Sequence, residues 1–236
     1  MTESDPLIGL SVIVPVLDEA AGIEAALEPL QPMRSRGAEV IVVDGGSADA
    51  TRSLAAPLAD HVIEAARGRA TQMNAGARAA RGGALVFVHA DTRVPVEADR
   101  LIAAALAGGR HWGRFDVAIE GRHPMLAVVA FMMNARSRLT GIATGDQALF
   151  ARRAAFEAAG GFPEIALMED VALCKALRRM GPPACLRERA VTSGRRWERH
   201  GVARTIFLMW RLRLAYALGA DPRRLARRYD IERTPS

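Results

Sequence analysis

The sequence predicts an α/β fold: a mostly parallel central sheet in an α/β/α sandwich, with an amphipathic helix at the C-terminal end. Three observations carry this reading. The segments around Leu10–Val16, Val40–Val43 and Ala84–Val88 are short apolar runs rich in β-branched residues, as expected of strands buried on both faces. Each run leads directly into small and acidic residues: Leu17-Asp-Glu19, Asp44-Gly-Gly-Ser47 and His89-Ala-Asp91. Stretches of helical composition alternate with them, and strand-helix-strand alternation means parallel pairing with helices on both faces. Ligands of open α/β sheets bind outside the carboxyl ends of the strands. Asp18, Glu19, Asp44 and Asp91 should therefore converge on one edge, where clustered carboxylates are costly unless a cation or ligand pairs with them.

Taken in order, a strand over roughly 9–15 passes through Pro15–Gly22 into a helix near 22–31. A second strand at 39–44 leads through Gly45-Gly-Ser-Ala-Asp49 into a helix near 50–58, with Asp49 suited to cap it. A short strand at 61–64 precedes the loop Ala66-Arg-Gly-Arg69 and a helix whose small and apolar face holds Ala70, Met73, Ala77 and Ala80, stopped by Gly82-Gly83. The strand at 84–88 ends at His89-Ala-Asp91, and Pro95 opens a helix to about 107. Beyond Gly108-Gly109 a strand is expected over Trp112–Glu120, a buried or interfacial helix over Pro124–Met133, and a strand over Gly145–Phe150. Short helices follow at Arg153–Ala159 and from Met168 to Met180, where Gly181-Pro-Pro183 ends the second.

With 236 residues, half of them apolar, the chain can bury a full core. Its net charge of +6 is unevenly spread: residues 1–177 are net acidic, and 178–236 carry arginine in large excess. Lys175 is the one lysine, which points to compositional bias rather than function. Cys174 and Cys185 have neither CxxC nor Cys/His spacing, which argues against zinc and suits reduced thiols in the cytoplasm. The polar, acidic start Met1–Pro6 lacks the basic region of a secretory signal, and no apolar run is long enough to span a bilayer. In Val202–Leu218, apolar residues with Trp210 and Tyr216 are interrupted by Arg204, Arg211 and Arg213, and Pro222–Arg228 is strongly basic. Two readings stay open for 202–228: a helix packed on its own domain or in a dimer contact, or peripheral contact with a membrane, on its inner face if the chain is cytoplasmic. The second, together with Met125–Met133, leaves room for a lipid-linked or membrane-proximal acceptor.

The ordered motifs Val14-Pro-Val-Leu-Asp-Glu19, Val43-Asp-Gly-Gly-Ser-Ala-Asp-Ala-Thr51, His89-Ala-Asp91, Glu169-Asp170 and Arg195-Arg-Trp197 resemble those of the family 2 glycosyltransferases over roughly residues 9–200. The resemblance implies a GT-A domain at 1–200 with a Rossmann-like N-terminal half, leaving 201–236 as a basic amphipathic tail. It also implies inverting, metal-dependent transfer of a sugar from a nucleoside diphosphate sugar to an acceptor hydroxyl of unknown identity. Pro15, Asp18, Glu19 and Asp44 would hold the nucleotide, although Gly45 stands where the family places a second Asp. Arg67 and Gly68, with Asn74, match the family's glycine-containing loop; Arg67 is favoured over Arg69 for pairing with base or phosphate. His89, Ala90 and Asp91 match its Asp-x-Asp signature. Asp91 would bind Mn²⁺ or Mg²⁺, while His89, in place of the first Asp, is read as bonding a donor hydroxyl.

Asp170 would be the general base, next to Glu169. Asp146 would line the acceptor site, and Arg196 and Trp197 would meet diphosphate and sugar. Three other classes are weighed. A nucleotidyltransferase should carry a basic triphosphate loop after its first strand, and Pro15–Gly22 has no Lys or Arg. A dinucleotide-dependent oxidoreductase needs G-x-G-x-x-G after a strand, and the sequence has none. A non-catalytic membrane or nucleic-acid binding module would use the basic tail but leave the carboxylates without a role, so nucleic acid is not an expected partner.

Overall fold

The computed structural model describes residues 9–231, and the side chains of Arg196, His200, Asp230 and Ile231 are outside the described set. The first half runs β1 (Leu10–Val16), α1 (Ile23–Leu27), α2 (Gln31–Ser35), β2 (Glu39–Asp44), α3 (Thr51–Ala55), β3 (His61–Glu64), α4 (Arg69–Ala79), β4 (Ala84–Phe87), β5 (Thr92–Arg93) and α5 (Ala98–Ala107). The second half runs β6 (Trp112–Glu120), α6 (Met125–Thr140), β7 (Phe150–Arg152), α7 (Arg153–Ala158), α8 (Glu169–Leu177), β8 (Ala184–Ser193), α9 (Arg195–His200), α10 (Val202–Ala217) and α11 (Pro222–Ile231).

Residue alternation along the buried strands builds both core layers. Val12, Val14, Val40, Val42 and Val86 point to one face, against Ile23, Leu27, Met33, Ile102 and Leu106 of α1, α2 and α5. Ile13, Ile41, Val43, Leu85 and Phe87 point to the other, against Met73, Phe156, Leu173 and Leu177 of α4, α7 and α8. Burial on both faces explains why these strands read as continuous apolar runs. The eight strands lie in the order β3-β2-β1-β4-β7-β6-β8-β5. β1 is parallel to β2 and β4, β2 to β3, and β6 to β8, whereas β7 is antiparallel to both β4 and β6, and β5 to β8. β7 runs against both its neighbours, so β4, β6 and β8 point the same way, and the N–H of Ser193, the last residue of β8, donates to the Asp91 carbonyl just before β5.

Some elements depart from the sequence expectations. The helix expected near 22–31 is divided into α1, one 3₁₀ turn at Glu28–Leu30, and α2, with Pro29 and Pro32 opening the later two segments. Gly145–Gln147 is a 3₁₀ turn rather than the start of a strand, and Ala148 then takes φ 44°, so pairing begins only at Phe150. β8 has no counterpart in the sequence reading. Its pairing with β6 shifts register between Phe115, opposite Leu186, and Asp116, opposite Arg189, so Arg187 and Glu188 bulge out and break the alternation. Asp49, expected as the N-cap, lies one residue before it: Ala50 holds that position, and Asp49 Oδ1 accepts the Thr51 N–H at 3.0 Å.

The C-terminal helices divide the two readings between two faces. Leu208 and Leu212 of α10 and Leu225 of α11 pack on Met168 and Val171, while Phe207, Trp210, Leu214 and Leu218 remain exposed. No helix among the described residues is long and apolar enough to cross a membrane. α6 is fixed to β6 by Arg114, which is fully buried: its guanidinium binds Asp116 and donates to the Asn134 carbonyl at 3.3 Å, and Arg138 also reaches Asp116. Removing one partner of a buried pair leaves an uncompensated charge, at about 3–5 kcal/mol. Asp116→Ala should therefore lower the unfolding free energy by about that amount in urea titrations; a change within experimental error would mean that α6 does not depend on this pair.

Candidate active site

Two loops at the carboxyl ends of β1 and β2 are clipped together by side-chain bonds to backbone. The Asp18 N–H donates to Ser47 Oγ at 2.9 Å, and Asp18 Oδ1 accepts the Ala48 N–H at 2.9 Å. The N–H groups of Glu19 and Ala20 donate to Thr51 Oγ1 and Asp49 Oδ2 at 2.8 and 3.0 Å. Asp44, fully buried, organises the turn beside them: it binds the Ser47 hydroxyl and accepts N–H bonds from Gly46 and Ser47 at 3.1 and 2.9 Å. Gln72, buried on α4, donates to the carbonyls of Val16 and Val43 at 2.8 Å each and locks the two strand ends. A Cβ on residue 45 would lie 3.0 Å from that amide, which explains why glycine stands there. Pro15, next to last in β1, lies opposite Val43.

The second group of residues forms where β4 ends. His89, Asp91 and Asp146 each offer one ligand atom, and the three atoms lie within 4.8 Å of one another. His89 Nδ1 is 3.5 Å from Asp146 Oδ1. Gly145 makes this possible, because a Cβ there would fall 2.1 Å from the imidazole. Asp91 is held by β8 at its carbonyl, which accepts the Ser193 N–H at 3.0 Å, and by Thr92 Oγ1, which donates to its carboxylate at 3.3 Å. One imidazole and two carboxylates suit Mn²⁺ better than Mg²⁺. His89, expected to bond a donor hydroxyl, stands beside the two acids. Glu19 lies close enough that burial, and then the Asp91 charge, raise its pKa.

Asp170, at the start of α8, lines the same pocket and meets the turn that carries Asp146. Its Oδ1 accepts the Val171 N–H at 2.7 Å and its Oδ2 accepts the Gly145 N–H at 3.1 Å. Burial, and then the neighbouring Glu169 charge, push its pKa up to about 6. Glu169 is buried and faces Arg69 Nη1 at 3.7 Å. Asp18, Ala148 and Met168, the described non-glycine residues with positive φ, all flank the site; Met168, at 72°, immediately precedes the Glu169-Asp170 pair. The pocket, about 470 Å³, joins Arg69, His89, Asp91, Asp146 and Asp170 to an apolar wall from α6 and α10.

Most residues named from the sequence meet here, with exceptions. Arg67 is exposed and does not line the pocket, and Arg69, two residues further on, does. Asn74 is committed elsewhere: its amide donates to the Phe162 carbonyl at 2.7 Å and accepts the Phe162 N–H at 3.0 Å, tying α4 to the loop before α8. Gly68, at φ 146°, caps α4, and Ala90 is half-buried between His89 and Asp91. Trp197 lines the pocket from α9, and the Arg196 side chain lies outside the described residues. Gln72 and Arg136 escaped the sequence reading; a polar residue on the apolar face of α4 was the available signal for Gln72.

A raised carboxyl pKa has a definite sign for stability. Between about pH 4 and 6 the native chain keeps a proton on Asp170 that the unfolded chain has lost, so stability from this group falls as pH rises through that window. In metal-free buffer, the unfolding free energy of Asp170→Asn should lose that component of pH dependence relative to the parent; parallel curves for the two would contradict the raised value.

Comparison with known proteins bears on the family and the fold. The chain matches the family model of glycosyl transferase family 2 over residues 11–157. It is 44% identical over 59 residues to succinoglycan biosynthesis protein ExoA of Rhizobium meliloti (strain 1021), a stretch covering 24% of this chain and 18% of that one. Among solved structures, S. aureus TarS 1-349 superposes with a TM-score of 0.64 at 19% identity, over 79% of this chain and 60% of that one. The mannosyltransferase PcManGT of Pyrobaculum calidifontis, in complex with GDP-Man and Mn²⁺, gives 0.62 at 25% identity, over 87% of this chain and 60% of that one. The chain thus spans less than two thirds of the length of these relatives. The fold is GT-A, and the chain belongs to glycosyltransferase family 2.

Proposed function

We propose that the chain transfers a sugar from a nucleoside diphosphate sugar to an acceptor hydroxyl, with inversion at the anomeric carbon and with the help of a divalent cation. The observation that carries this reading is the division of the pocket. His89, Asp91 and Asp146 share one corner, while Asp170, its pKa raised to about 6, lines the same pocket without belonging to that group. The clipped loops at 15–20 and 44–51 receive the nucleotide, and Arg69 faces its phosphates from the start of α4. The presence of GDP-Man and Mn²⁺ with PcManGT, and of UDP-GlcNAc with TarS, supports a donor of this class.

In the transfer, Asp170 takes the proton of the acceptor hydroxyl as its oxygen bonds to the anomeric carbon, and the bond from that carbon to the diphosphate breaks in line. A base with a pKa near 6 is ionised at neutral pH and strong enough to accept the proton as it becomes acidic. A cation held by His89, Asp91 and Asp146 would neutralise the charge that develops on the departing diphosphate. Trp197, in the pocket wall, offers a face for a sugar ring, and Arg196 is retained as a candidate diphosphate contact. The unpaired cysteines suit the cytoplasm, and the apolar residues exposed on α10 suit peripheral contact at the inner face of a membrane through 202–228.

Calorimetric titration with UDP-, GDP- and dTDP-sugars, in Mn²⁺ and in EDTA, should give metal-dependent binding of one donor that is lost in Asp91→Ala. Equal binding in EDTA would contradict the assignment of the cation corner. Asp170→Asn should bind that donor normally and transfer about 10²–10⁴ times more slowly, and the parent rate should fall as pH drops below about 6 because the base is then protonated. Undiminished transfer by that variant would assign the base elsewhere.

A further inference from the structure

Two features of the pocket are unused by the transfer chemistry. The first is its apolar wall. Apart from Val96 and Leu218, the latter directly after α10, every large apolar side chain left exposed among the described residues sits on α6 or α10, and several of these, including Val128 at 47%, Met132 at 52% and Trp210 at 70% exposed, line the pocket itself. A surface chosen for solubility would not concentrate such residues at one opening. The second is a pair of arginines on the same two helices. Among the described residues, Arg136 of α6 lines the pocket with Nε and Nη2 shut off from solvent and without an acceptor, and Arg213 of α10 lines it with Nε in the same condition. A guanidinium cannot lose its charge, so leaving its donors unmatched is a cost the fold carries. Burial pulls the Arg136 pKa down, and the Asp170 charge opposes that shift.

Resting on the transferase reading above, we propose that the acceptor is an anionic amphiphile: its acidic group is received by Arg136 and Arg213, and its apolar part lies along Val128, Met132 and Trp210. The reacting hydroxyl then sits next to Asp170, since Arg136 and Asp170 border the same pocket and feel each other's charge. This goes beyond peripheral contact through the tail. The apolar surface is shared by α6 and α10 and is continuous with the reaction chamber, so it serves the substrate as well as the membrane. Planar guanidinium groups match phosphate or carboxylate, and a wall of methionine and tryptophan adapts to a flexible chain.

The test uses the full chain and two probes of equal chain length, dodecyl phosphate and dodecyl maltoside, both below their micelle concentrations, with binding read from tryptophan fluorescence and calorimetry. Donor titration in the same preparation separates the two levels: donor binding without probe binding sinks this inference alone, and absence of donor binding sinks the transferase reading. The parent should bind dodecyl phosphate about tenfold or more tightly than dodecyl maltoside, the scale of a charge-assisted hydrogen bond. Arg136→Met should lose that preference while keeping its melting temperature or raising it, because it removes an unmatched buried charge; a marked drop in melting temperature would make Arg136 a structural residue and overturn the proposal. Arg213→Gln, a milder change, should weaken phosphate binding and leave maltoside binding unaltered. If the parent adsorbs to phosphatidylglycerol vesicles yet binds neither monomeric probe, the face is a docking surface without a site, and the proposal fails.

Discussion

The structure depends on a crowding of negative charge. Glu19, Asp91, Asp146, Glu169 and Asp170 reach one crevice from four separate stretches of chain, and the ligand atoms of Asp91 and Asp146 lie within 4.8 Å of each other. At an effective dielectric constant near 20, two charges at that spacing repel by about 3 kcal/mol. That repulsion can be relieved by a cation, by holding a proton, or by pairing with an arginine, and the site offers groups suited to each. Asp91 and Asp146 stand with His89 in a group that could hold a cation, Asp170 holds its proton more tightly than an ordinary carboxyl, and Glu169 faces Arg69. Environment therefore assigns three different tasks to chemically similar groups.

The scaffold exists to hold that arrangement. Parallel strands deliver β1, β2 and β4 to the same edge; their apolar runs are buried on both faces and cannot slip register without exposing the core. Gln72 ties two of the strand ends, and the loops clip each other through Asp18, Ser47, Asp49 and Thr51. The antiparallel half supplies what the parallel half lacks. β8 anchors the Asp91 carbonyl, the turn at 145–147 presses glycine against His89 while donating an N–H to Asp170, and α6 and α10 add the apolar wall. Positive φ at Asp18, Ala148 and Met168 is the backbone strain that this convergence demands.

Legibility from sequence followed the physics of burial. The strands of the first half could be read because two-sided burial leaves an unbroken apolar run, and strand-end acids mark the crevice whatever the helices do. β8 could not be read: its bulge places Arg187, Glu188 and Arg189 in mid-strand and erases the alternation. Gly145–Phe150 resembled a strand because Ala148, Leu149 and Phe150 are buried, yet it is a turn set by the imidazole it must clear. At the site, Asp91 and Asp170 followed from motif resemblance, whereas the choice between Arg67 and Arg69 depended on which side of α4 faces the pocket. Arg136 carries no sequence signal at all; only the surrounding walls turn an ordinary helical arginine into one with unmatched donors.

The central claim is that Asp170 works as a base in a single displacement, apart from the cation corner, and its most direct test is stereochemical. Once the donor is known, proton NMR can follow the anomeric configuration of the sugar first released to water or transferred to an acceptor, before mutarotation obscures it. The account predicts inversion, so that an α-linked donor yields a β product at the outset. Net retention would require two displacements or a different face of attack, and would contradict the role assigned to Asp170.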